Sequence, residues 1–213
     1  MPRAVIFVNG YITNLDLARG LIRPGDMIFA ADGGSRHAMA LGLVPSVIIG
    51  DLDSLTPDVR HLTEQSVTRL IQHPRDKNET DFELALSHAV ETGYTEILII
   101  AALGNRLDQT LGNLALLTDP RLSALDVRLD DGLEEAFFTR GNCHIRGARG
   151  DLVSLIPWGE NVIGVTTEGL HWSLQGETLY PYKTRGISNE MLGEMASVSV
   201  ISGLLLIVHR RQI

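Results

Sequence analysis

The chain has 213 residues, with 18 Lys and Arg against 26 Asp and Glu, a formal charge of −8, and 44% apolar residues. These proportions are typical of a soluble globular protein and exclude collagen-like, disordered and disulfide-scaffold classes. An acidic chain without a dense Lys/Arg stripe predicts no nucleic-acid partner, because backbone binding requires many phosphates to be neutralised at once. The single Cys143 and the lack of zinc-type Cys/His spacing favour a reducing compartment, so we expect a cytoplasmic protein.

The apolar stretches are too short for targeting or membrane insertion. Residues 4–8 form a run of only five apolar residues near the start, less than the apolar core of a signal peptide. The 13 residues at 196–208 are interrupted by Ser202 and Gly203, whereas a spanning helix needs roughly 20 apolar residues. We therefore predict two strands around a Ser-Gly turn, and no membrane partner.

From residue 4 to about 118, short β-branched apolar runs alternate with helical patterns. This alternation is typical of βαβ units and predicts an α/β fold with a mostly parallel sheet flanked by helices. The runs predicted to contain strands are 4–10, 27–34, 46–54, 68–76 and 96–105.

Two helices have the clearest signals in this first half. Apolar residues at 82, 85, 86, 89 and 90 repeat at helical spacing, and Thr80 with Glu83 forms a capping-box pattern before them. A second helix is predicted to begin near Leu107, to carry Leu111 and Leu114 on the same face, and to stop before Pro120.

After about residue 125 the pattern changes to short β-rich segments separated by Gly-containing turns, without a helical period. Such a pattern is typical of an antiparallel β-sandwich. We therefore predict an α/β domain at 1–125 and a C-terminal antiparallel β-sandwich domain at 126–213.

Acidic side chains follow several predicted strands, where open parallel sheets bind their ligands. Carboxylates gathered at one edge would repel one another unless a cation lay among them. Asp51 and Asp53 are two residues apart, so in an extended chain their side chains would project on the same side, about 6.5–7 Å apart. Oxygen ligands without His or Cys favour Mg²⁺. The alternative is a solvated loop or an Asx-turn.

A second charged cluster lies at 75–81, where Asp76, Glu79 and Asp81 accompany Arg75 and Lys77. Acids that hold Mg²⁺ beside bases that neutralise phosphate oxygens are what a metal–phosphate complex requires. The alternative is that residues 80 and 81 only cap the helix and that the other ions form an exposed charge run.

No P-loop motif occurs in the chain, but Gly33 and Gly34 follow a predicted strand. Paired glycines permit close backbone approach, so Asp32, Gly33 and Gly34 are a partial substitute as a phosphate-binding turn. Residues 104–106 form a similar glycine-containing segment before the next helix, and Arg106 adds a guanidinium there. Each motif alone is more often an ordinary turn.

Taken together, six segments resemble the thiamine pyrophosphokinase (thiamine diphosphokinase) family and occur in the family's order. They are ADGG (31–34), GDLDS (50–54), DKNETDFELAL (76–86), LGNRLDQTLGNL (103–114), EGLHWSL (168–174) and RGISNE (185–190). The resemblance implies a homodimeric enzyme with active sites shared between subunits. It also implies transfer of a pyrophosphoryl group from ATP to the hydroxyl of thiamine, with Mg²⁺ and release of AMP.

The resemblance also implies roles for individual residues. The expected metal ligands are Asp51, Asp53 and Asp81, and Asp108 is expected to orient or deprotonate the thiamine hydroxyl. The residues expected at the ATP phosphates are Asp32, Gly33, Gly34, Lys77, Thr80, Asn105 and Arg106. The residues expected at thiamine are Trp172, Ser188, Asn189, Glu190 and Gln109, where Gln109 replaces a common His. The alternative interpretation of Trp172 is that it is a core residue of the β-sandwich and does not contact a ligand.

Two other functions stay open on sequence alone. One is a different Mg²⁺-dependent phospho- or nucleotidyl-transferase on the same sheet, and the other is a non-catalytic sensor of thiamine or a nucleotide. Trp158 is expected to serve in core or turn packing. His residues 37, 61, 88, 144 and 209 are expected on surface faces or strand ends without ligand partners.

Overall fold

Residue contacts divide the chain into two units, Met1–Gly132 and Leu133–Ile213. The computed structural model describes residues 2–53, 57, 68–104 and 106–212. The predicted boundary at 125/126 lies just before a strand at Asp126–Asp130, which pairs in parallel with the strand at Glu96–Ile100. That pairing makes the strand a part of the first unit.

In the described part of the first unit, six strands form a parallel sheet. They are β1 (Ala4–Phe7), β2 (Met27–Ala31), β3 (Val47–Gly50), β4 (Arg69–Gln72), β5 (Glu96–Ile100) and β6 (Asp126–Asp130). Their order across the sheet is β6-β5-β1-β2-β3-β4. The predicted parallel α/β sheet is confirmed. Strands β1 and β5 are almost wholly buried because they lie inside the sheet, whereas β4 is an exposed edge.

Helices connect the strands of this sheet. They are α1 (Leu15–Gly20), α2 (Ser35–Ala40), α3 (Asp81–Glu91) and α4 (Leu107–Leu116), with 3₁₀ turns at Asp32–Gly34 and Pro120–Leu122. The predicted cap of α3 is confirmed, because the Thr80 side chain accepts a hydrogen bond from the Glu83 N–H at 3.1 Å. Helix α4 lies where predicted, but only Leu114 of its apolar face is buried, while Leu107 is 73% exposed.

The second unit is an antiparallel β-sandwich, as predicted. Its strands are β7 (Glu134–Thr139), β8 (Cys143–Arg146), β9 (Leu152–Pro157), β10 (Val162–Glu168), β11 (Gln175–Leu179), β12 (Asn189–Glu190), β13 (Met195–Ser199) and β14 (Leu205–Arg210). One sheet has the order β12-β9-β14-β7 and the other β11-β10-β13-β8. Buried apolar side chains of both sheets, including Leu155, Val165, Val198 and Ile207, form one core.

The Ser-Gly turn at 202–203 separates β13 from β14, as predicted, but the two strands belong to different sheets. Gly203 has a φ of +102°, and a Cβ there would lie 2.7 Å from the Asn161 carbonyl oxygen. The turn therefore carries the chain from one layer of the sandwich to the other. Among the described helices, none is long and apolar enough to cross a membrane.

The expectation that His209 is a surface residue is wrong. Its side chain is fully buried on β14, with Nε2 lying 2.9 Å from Oδ2 of Asp151 and Nδ1 lying 3.5 Å from Oε2 of Glu135. Burial lowers the pKa of His209, but the contacts with Glu135 and Asp151 outweigh it and raise the pKa above the ordinary value. Sequence alone gave no sign of this contact, because Asp151 is 58 residues away along the chain.

Candidate active site

Three carboxylates converge at the carboxyl edge of the parallel sheet. Oxygen atoms of Asp32, Asp51 and Asp53 lie within 4.8 Å of one another. Asp32 follows β2, and the other two follow the neighbouring strand β3. Such close carboxylates repel unless a cation lies among them, and hard oxygen donors fit Mg²⁺. The residues of the cluster therefore fit a divalent cation.

The loop that carries Asp51 and Asp53 is not extended, so the predicted spacing of their side chains is wrong. Leu52 has a φ of +64°, and the Asp53 N–H donates to Oδ1 of Asp51 at 3.1 Å. This is an Asx-turn, the alternative that the sequence left open. The left-handed residue carries strain of about 1–3 kcal/mol, which packing of Leu52 against Ala30 and Ile48 helps to offset.

Gly50 brings a fourth acidic side chain, that of Asp81, close to Asp32. A Cβ at this glycine would lie 2.8 Å from Cβ of Asp32 and 3.0 Å from Cγ of Asp81, and the residue has a φ of +154°. Asp32 and Asp81 therefore flank the same backbone segment, just before Asp51. Only glycine leaves room for both side chains.

Asp81 is the third expected metal ligand, but its surroundings differ from those of Asp51 and Asp53. Its Oδ1 lies 2.9 Å from Nζ of Lys77, and the close set of three carboxylates contains Asp32 in its place. The sequence assigned Asp32 to the ATP phosphates, but a carboxylate repels phosphate. Its position makes it a better candidate for a metal ligand.

Basic side chains accompany the acids, as predicted from residues 75–81. Lys77 also donates to the carbonyl oxygen of Pro74 at 3.2 Å. Nη1 of Arg75 lies 3.7 Å from Oδ2 of Asp53, with the arginine largely exposed. Both cations are therefore engaged with acids of this edge.

The glycines at 33 and 34 permit close packing within the protein. A Cβ at Gly34 would lie 2.0 Å from the carbonyl oxygen of Phe7, and one at Gly33 would lie 2.7 Å from the Asn9 side chain. The 3₁₀ turn thus rests directly on the end of β1 and fixes buried Asp32 in a left-handed conformation with a φ of +41°. A role for the two glycines at phosphate stays a prediction.

A cavity of about 480 Å³ opens beside the acidic cluster. Its polar lining consists of Asn9, Asp32, Thr80, Asp81, Glu83, Arg106, Asp108, Gln109 and Asn113. The volume lies in the range of small-molecule sites. The sequence analysis missed Asn113, whose Nδ2 donates to the Ala102 carbonyl oxygen at 2.8 Å and ties α4 to the loop after β5. Nothing in the local pattern could have indicated that contact.

Arg106 and Asp108 form a two-pronged ion pair at the start of α4. Nε of Arg106 donates to Oδ1 of Asp108 at 3.1 Å, and Nη2 donates to Oδ2. The hydrogen bond from Arg106 lowers the pKa of Asp108 and raises that of the guanidinium. A carboxylate with a lowered pKa is a weak base, so this geometry favours orientation over deprotonation. Asn105, the neighbouring predicted phosphate contact, lies outside the described residues.

In the second unit, three of the residues expected at thiamine line one cavity of about 360 Å³. The three are Trp172, Ser188 and Asn189. The rest of the lining consists of Leu174, Thr184, Arg185, Gly186 and Ile187. Glu190 is the second residue of β12, next to Asn189, whereas Gln109 lines the cavity of the first unit.

The two tryptophans have different environments. Trp172 is 51% exposed and edge-on to His171, with 4.5 Å between ring centroids, so it is not a core residue. Trp158 packs edge-on against Phe138 at 5.3 Å, and its predicted packing role is confirmed.

Asn189 is 3% exposed and engages the backbone. Its Oδ1 accepts from the N–H groups of Trp172 and Glu190, and its Nδ2 donates to the Trp172 carbonyl oxygen. Ser188 has a φ of +54°, and its N–H donates to Oγ of Ser154. The structure therefore makes Asn189 a positioning residue for Trp172, and its direct contact with a ligand stays a prediction.

The fold and the site define a two-unit protein, with a candidate divalent-cation site at the carboxyl edge of a parallel α/β sheet and an antiparallel β-sandwich after it. The family model described as "Thiamin pyrophosphokinase, catalytic domain" matches residues 18–129, more than half of the chain. The model described as "Thiamin pyrophosphokinase, vitamin B1 binding domain" matches residues 142–205. The chain belongs to the thiamin pyrophosphokinase family.

Individual relatives agree with this assignment. The chain is 28% identical to thiamine pyrophosphokinase of Bacillus subtilis over 180 residues, 84% of either protein. It is 32% identical to thiamine pyrophosphokinase 1 of Arabidopsis thaliana over 173 residues, which are 76% of this chain and 64% of the plant protein.

Solved structures share the fold. The Bacillus subtilis thiamine pyrophosphokinase structure superposes with a TM-score of 0.88 at 24% identity, over 99% of this chain and 100% of the other. The yeast thiamin pyrophosphokinase structure has a TM-score of 0.73 at 17% identity, over 98% and 86% of the two chains.

Proposed function

We propose that this chain transfers a pyrophosphoryl group from ATP to the hydroxyl of thiamine, with Mg²⁺, and forms thiamine diphosphate and AMP. The observation that carries the proposal is the convergence of Asp32, Asp51 and Asp53 within 4.8 Å. This cluster lies at the edge of a cavity that also presents Arg106, in a chain that matches both domains of the thiamin pyrophosphokinase family.

In the proposed reaction, the hydroxyl oxygen of thiamine attacks the β-phosphorus of ATP. The bond from this phosphorus to the oxygen that bridges to the α-phosphorus breaks, AMP leaves with the electron pair, and the hydroxyl proton passes to solvent or a nearby base. Mg²⁺, when bound, supplies charge neutralisation on the phosphate oxygens.

The chain's own residues hold and orient the reactants. Asp32, Asp51 and Asp53 provide the oxygen ligands, and Asp81 lies beside them as a further candidate. Arg106 and Lys77 neutralise non-bridging oxygens, where positive charge stabilises the transition state. Asp108 holds the guanidinium of Arg106 in place through their two-pronged contact.

Thiamine carries a permanently cationic thiazolium ring, which Trp172 can contact through its exposed face. A cation–π contact contributes about 0.5–2 kcal/mol, depending on desolvation. Ser188 lines the same cavity, and Glu190 adds a carboxylate beside it. Gln109, from the other unit, is proposed to contact thiamine as well.

The direct test is an assay of purified protein with ATP, Mg²⁺ and thiamine, with thiamine diphosphate and AMP separated by chromatography. We expect equal amounts of both products and none in excess EDTA. Formation of ADP would favour a different phosphotransferase, and thiamine binding without consumption of ATP would favour the sensor.

Substitutions of the proposed metal ligands test the metal assignment separately. Asp53→Asn and Asp32→Asn should each lower kcat by at least about 100-fold, the usual loss when transition-state charge is left unbalanced, with unchanged circular dichroism. Asp16→Asn is a matched control, because Asp16 lies on the exposed surface of α1, where it pairs with Arg19. Wild-type turnover by Asp53→Asn would refute the assignment.

We further propose a homodimer whose active sites combine acids of one subunit with Trp172 of its partner. At a thiamine concentration far below the KM of Trp172→Ala, mixing this weakly binding variant with inactive Asp53→Asn should then raise activity, because each heterodimer regains one intact site. Random mixing predicts about a quarter of wild-type activity. Light scattering gives the oligomeric state, and no recovery on mixing would contradict shared sites.

A further inference from the structure

Lys77 is an unusual residue for this chain. The sequence contains 16 Arg and only two Lys, at positions 77 and 183. The Lys77 side chain is 12% exposed, although lysine is almost never buried unless it is paired. A lysine side chain buried to this extent indicates a specific partner for its ammonium.

That partner is Asp81. Nζ of Lys77 lies 2.9 Å from Oδ1 of Asp81, whose side chain is 28% exposed. The ammonium also donates to the carbonyl oxygen of Pro74 at 3.2 Å, within the loop before α3. Among the described residues, Oδ1 of Asp81 accepts no hydrogen bond, so charge attraction joins the pair, while the contact with Pro74 fixes the ammonium in the loop.

The pair lies beside the three converging carboxylates. Asp81 and Asp32 flank Gly50, which precedes Asp51. An ammonium this close to Asp81 competes with any divalent cation that the same carboxylate would hold. Like charges a few ångströms apart repel strongly where side chains are partly buried.

We propose that Lys77 is an internal counter-cation, which neutralises Asp81 while no nucleotide is bound and leaves it for phosphate oxygens when a polyphosphate arrives. The free protein then binds a divalent cation weakly, through Asp32, Asp51 and Asp53. With nucleotide, Asp81 becomes available to the same cation. The inference rests on the proposed function and adds a binding order, in which metal enters together with the nucleotide.

Phosphate chemistry supports this order. Mg²⁺ in proteins is usually held by one or two carboxylates together with substrate phosphates. A polyphosphate brings enough negative charge to balance both Mg²⁺ and the ammonium. Lysine suits such a movement because its charge is compact and its four-carbon side chain is flexible.

The test measures binding of Mn²⁺ by electron paramagnetic resonance, in which the free ion gives the signal. Wild type and Lys77→Met are each titrated with Mn²⁺ alone and with Mn²⁺ plus α,β-methylene ATP, in which the bond to be broken is blocked. Lys77→Arg keeps the charge. Lys183→Met is the matched control. Lys183 is an exposed residue of the second unit, and its Nζ lies 5.9 Å from the Tyr182 ring centroid.

Without nucleotide, Lys77→Met should bind Mn²⁺ about tenfold more tightly than wild type, because the competing charge is gone. With α,β-methylene ATP the order should reverse, since the variant lacks a phosphate contact. Lys77→Arg and Lys183→Met should resemble wild type without nucleotide. Unchanged or weaker binding by Lys77→Met would show that the ion pair only stabilises the loop, and would overturn the inference.

Two further arms keep the outcomes distinct. Thermal unfolding identifies a variant that does not fold, and Lys77→Gln then replaces Lys77→Met with the same expectation. If wild type binds no Mn²⁺ even with α,β-methylene ATP, the metal-dependent function itself fails. If wild type binds Mn²⁺ with the analogue but Lys77→Met gains no affinity without it, only the role of Lys77 fails.

Discussion

The side-chain amide of Asn189 holds the backbone of Trp172 on both sides. Nδ2 donates to the Trp172 carbonyl oxygen at 2.7 Å, and Oδ1 accepts from the Trp172 N–H at 3.0 Å. Asn189 is buried while the indole is half-exposed. A buried amide therefore fixes where the exposed ring can meet a ligand.

Asn189→Ala should raise the KM for thiamine about tenfold, with less than a threefold change in kcat at saturating thiamine. The reason is that two hydrogen bonds, each contributing about 0.5–1.5 kcal/mol, no longer hold the ring in its binding position. Steady-state kinetics gives both constants. Asn161→Ala, at an exposed position, is the control, and an unchanged KM in Asn189→Ala would contradict the positioning role.

Gly50→Ala should reduce Mn²⁺ affinity and lower kcat by at least about 100-fold. The added Cβ would lie 2.8 Å from Cβ of Asp32 and 3.0 Å from Cγ of Asp81, so these side chains must move apart. The control is Gly20→Ala, because a Cβ there meets nothing within 4 Å. Full activity of Gly50→Ala would mean that the site tolerates displaced carboxylates.

Asp108→Asn should lower kcat by a similar factor at every pH between about 5 and 9. The hydrogen bond from Arg106 lowers the pKa of Asp108, so this carboxylate stays ionised throughout that range. Replacing Asp108 by Asn therefore frees the Arg106 side chain but removes no group that titrates in this pH range. If the variant lost the acidic limb of the pH–rate profile, Asp108 would instead be the general base.

His209→Gln should weaken the dependence of stability on pH. The pKa of His209 is raised, so its stabilising contribution is complete below the ordinary value of 6.5 and is lost as pH rises through the folded-state pKa. The charged groups facing this imidazole are Asp151 and Glu135, with Arg211 next to Glu135.

Asp151 acts at the other end of the pH range. Burial raises the pKa of Asp151, but N–H donors of Gln212 and Ala148 and the contact with His209 lower it overall. The contribution of Asp151 to folding stability is therefore present above pH 3.8, its ordinary pKa, and is lost as pH falls through the lowered pKa.

Thermal unfolding of the wild type should thus show a midpoint that falls as pH rises from 6 to 9, and His209→Gln should reduce that fall. His144→Gln, on the exposed side of β8, should leave it unchanged. An identical pH dependence in wild type and His209→Gln would exclude the imidazole as its source.

Much of the fold follows from local pattern. Apolar runs defined β1 to β5, the Thr80 and Glu83 pair defined the start of α3, and the loss of helical periodicity indicated the β-sandwich. Each of these signals lies within a few residues of the element that it specifies, because caps and periodicities depend on neighbouring residues.

Much of the candidate site is also visible in the sequence, since acids at the ends of parallel strands must share an edge. The sequence alone, however, placed Asp51 and Asp53 on an extended chain and omitted Asp32 from the metal set. The order of β2 and β3 in the sheet decides that Asp32 joins the cluster, and a left-handed Leu52 decides how the other two carboxylates are arranged.

The sequence by itself determined the classes of structure and chemistry, an acidic edge on a parallel sheet and a β-rich second half. Only the tertiary structure decided the partners of residues far apart in the chain: Asp32 with Asp51, Asn189 with Trp172, and buried His209 with Asp151. The physical reason is that periodicity records which face of an element is apolar, whereas a polar contact between distant residues depends on how strands and loops pack. No local pattern encodes that packing.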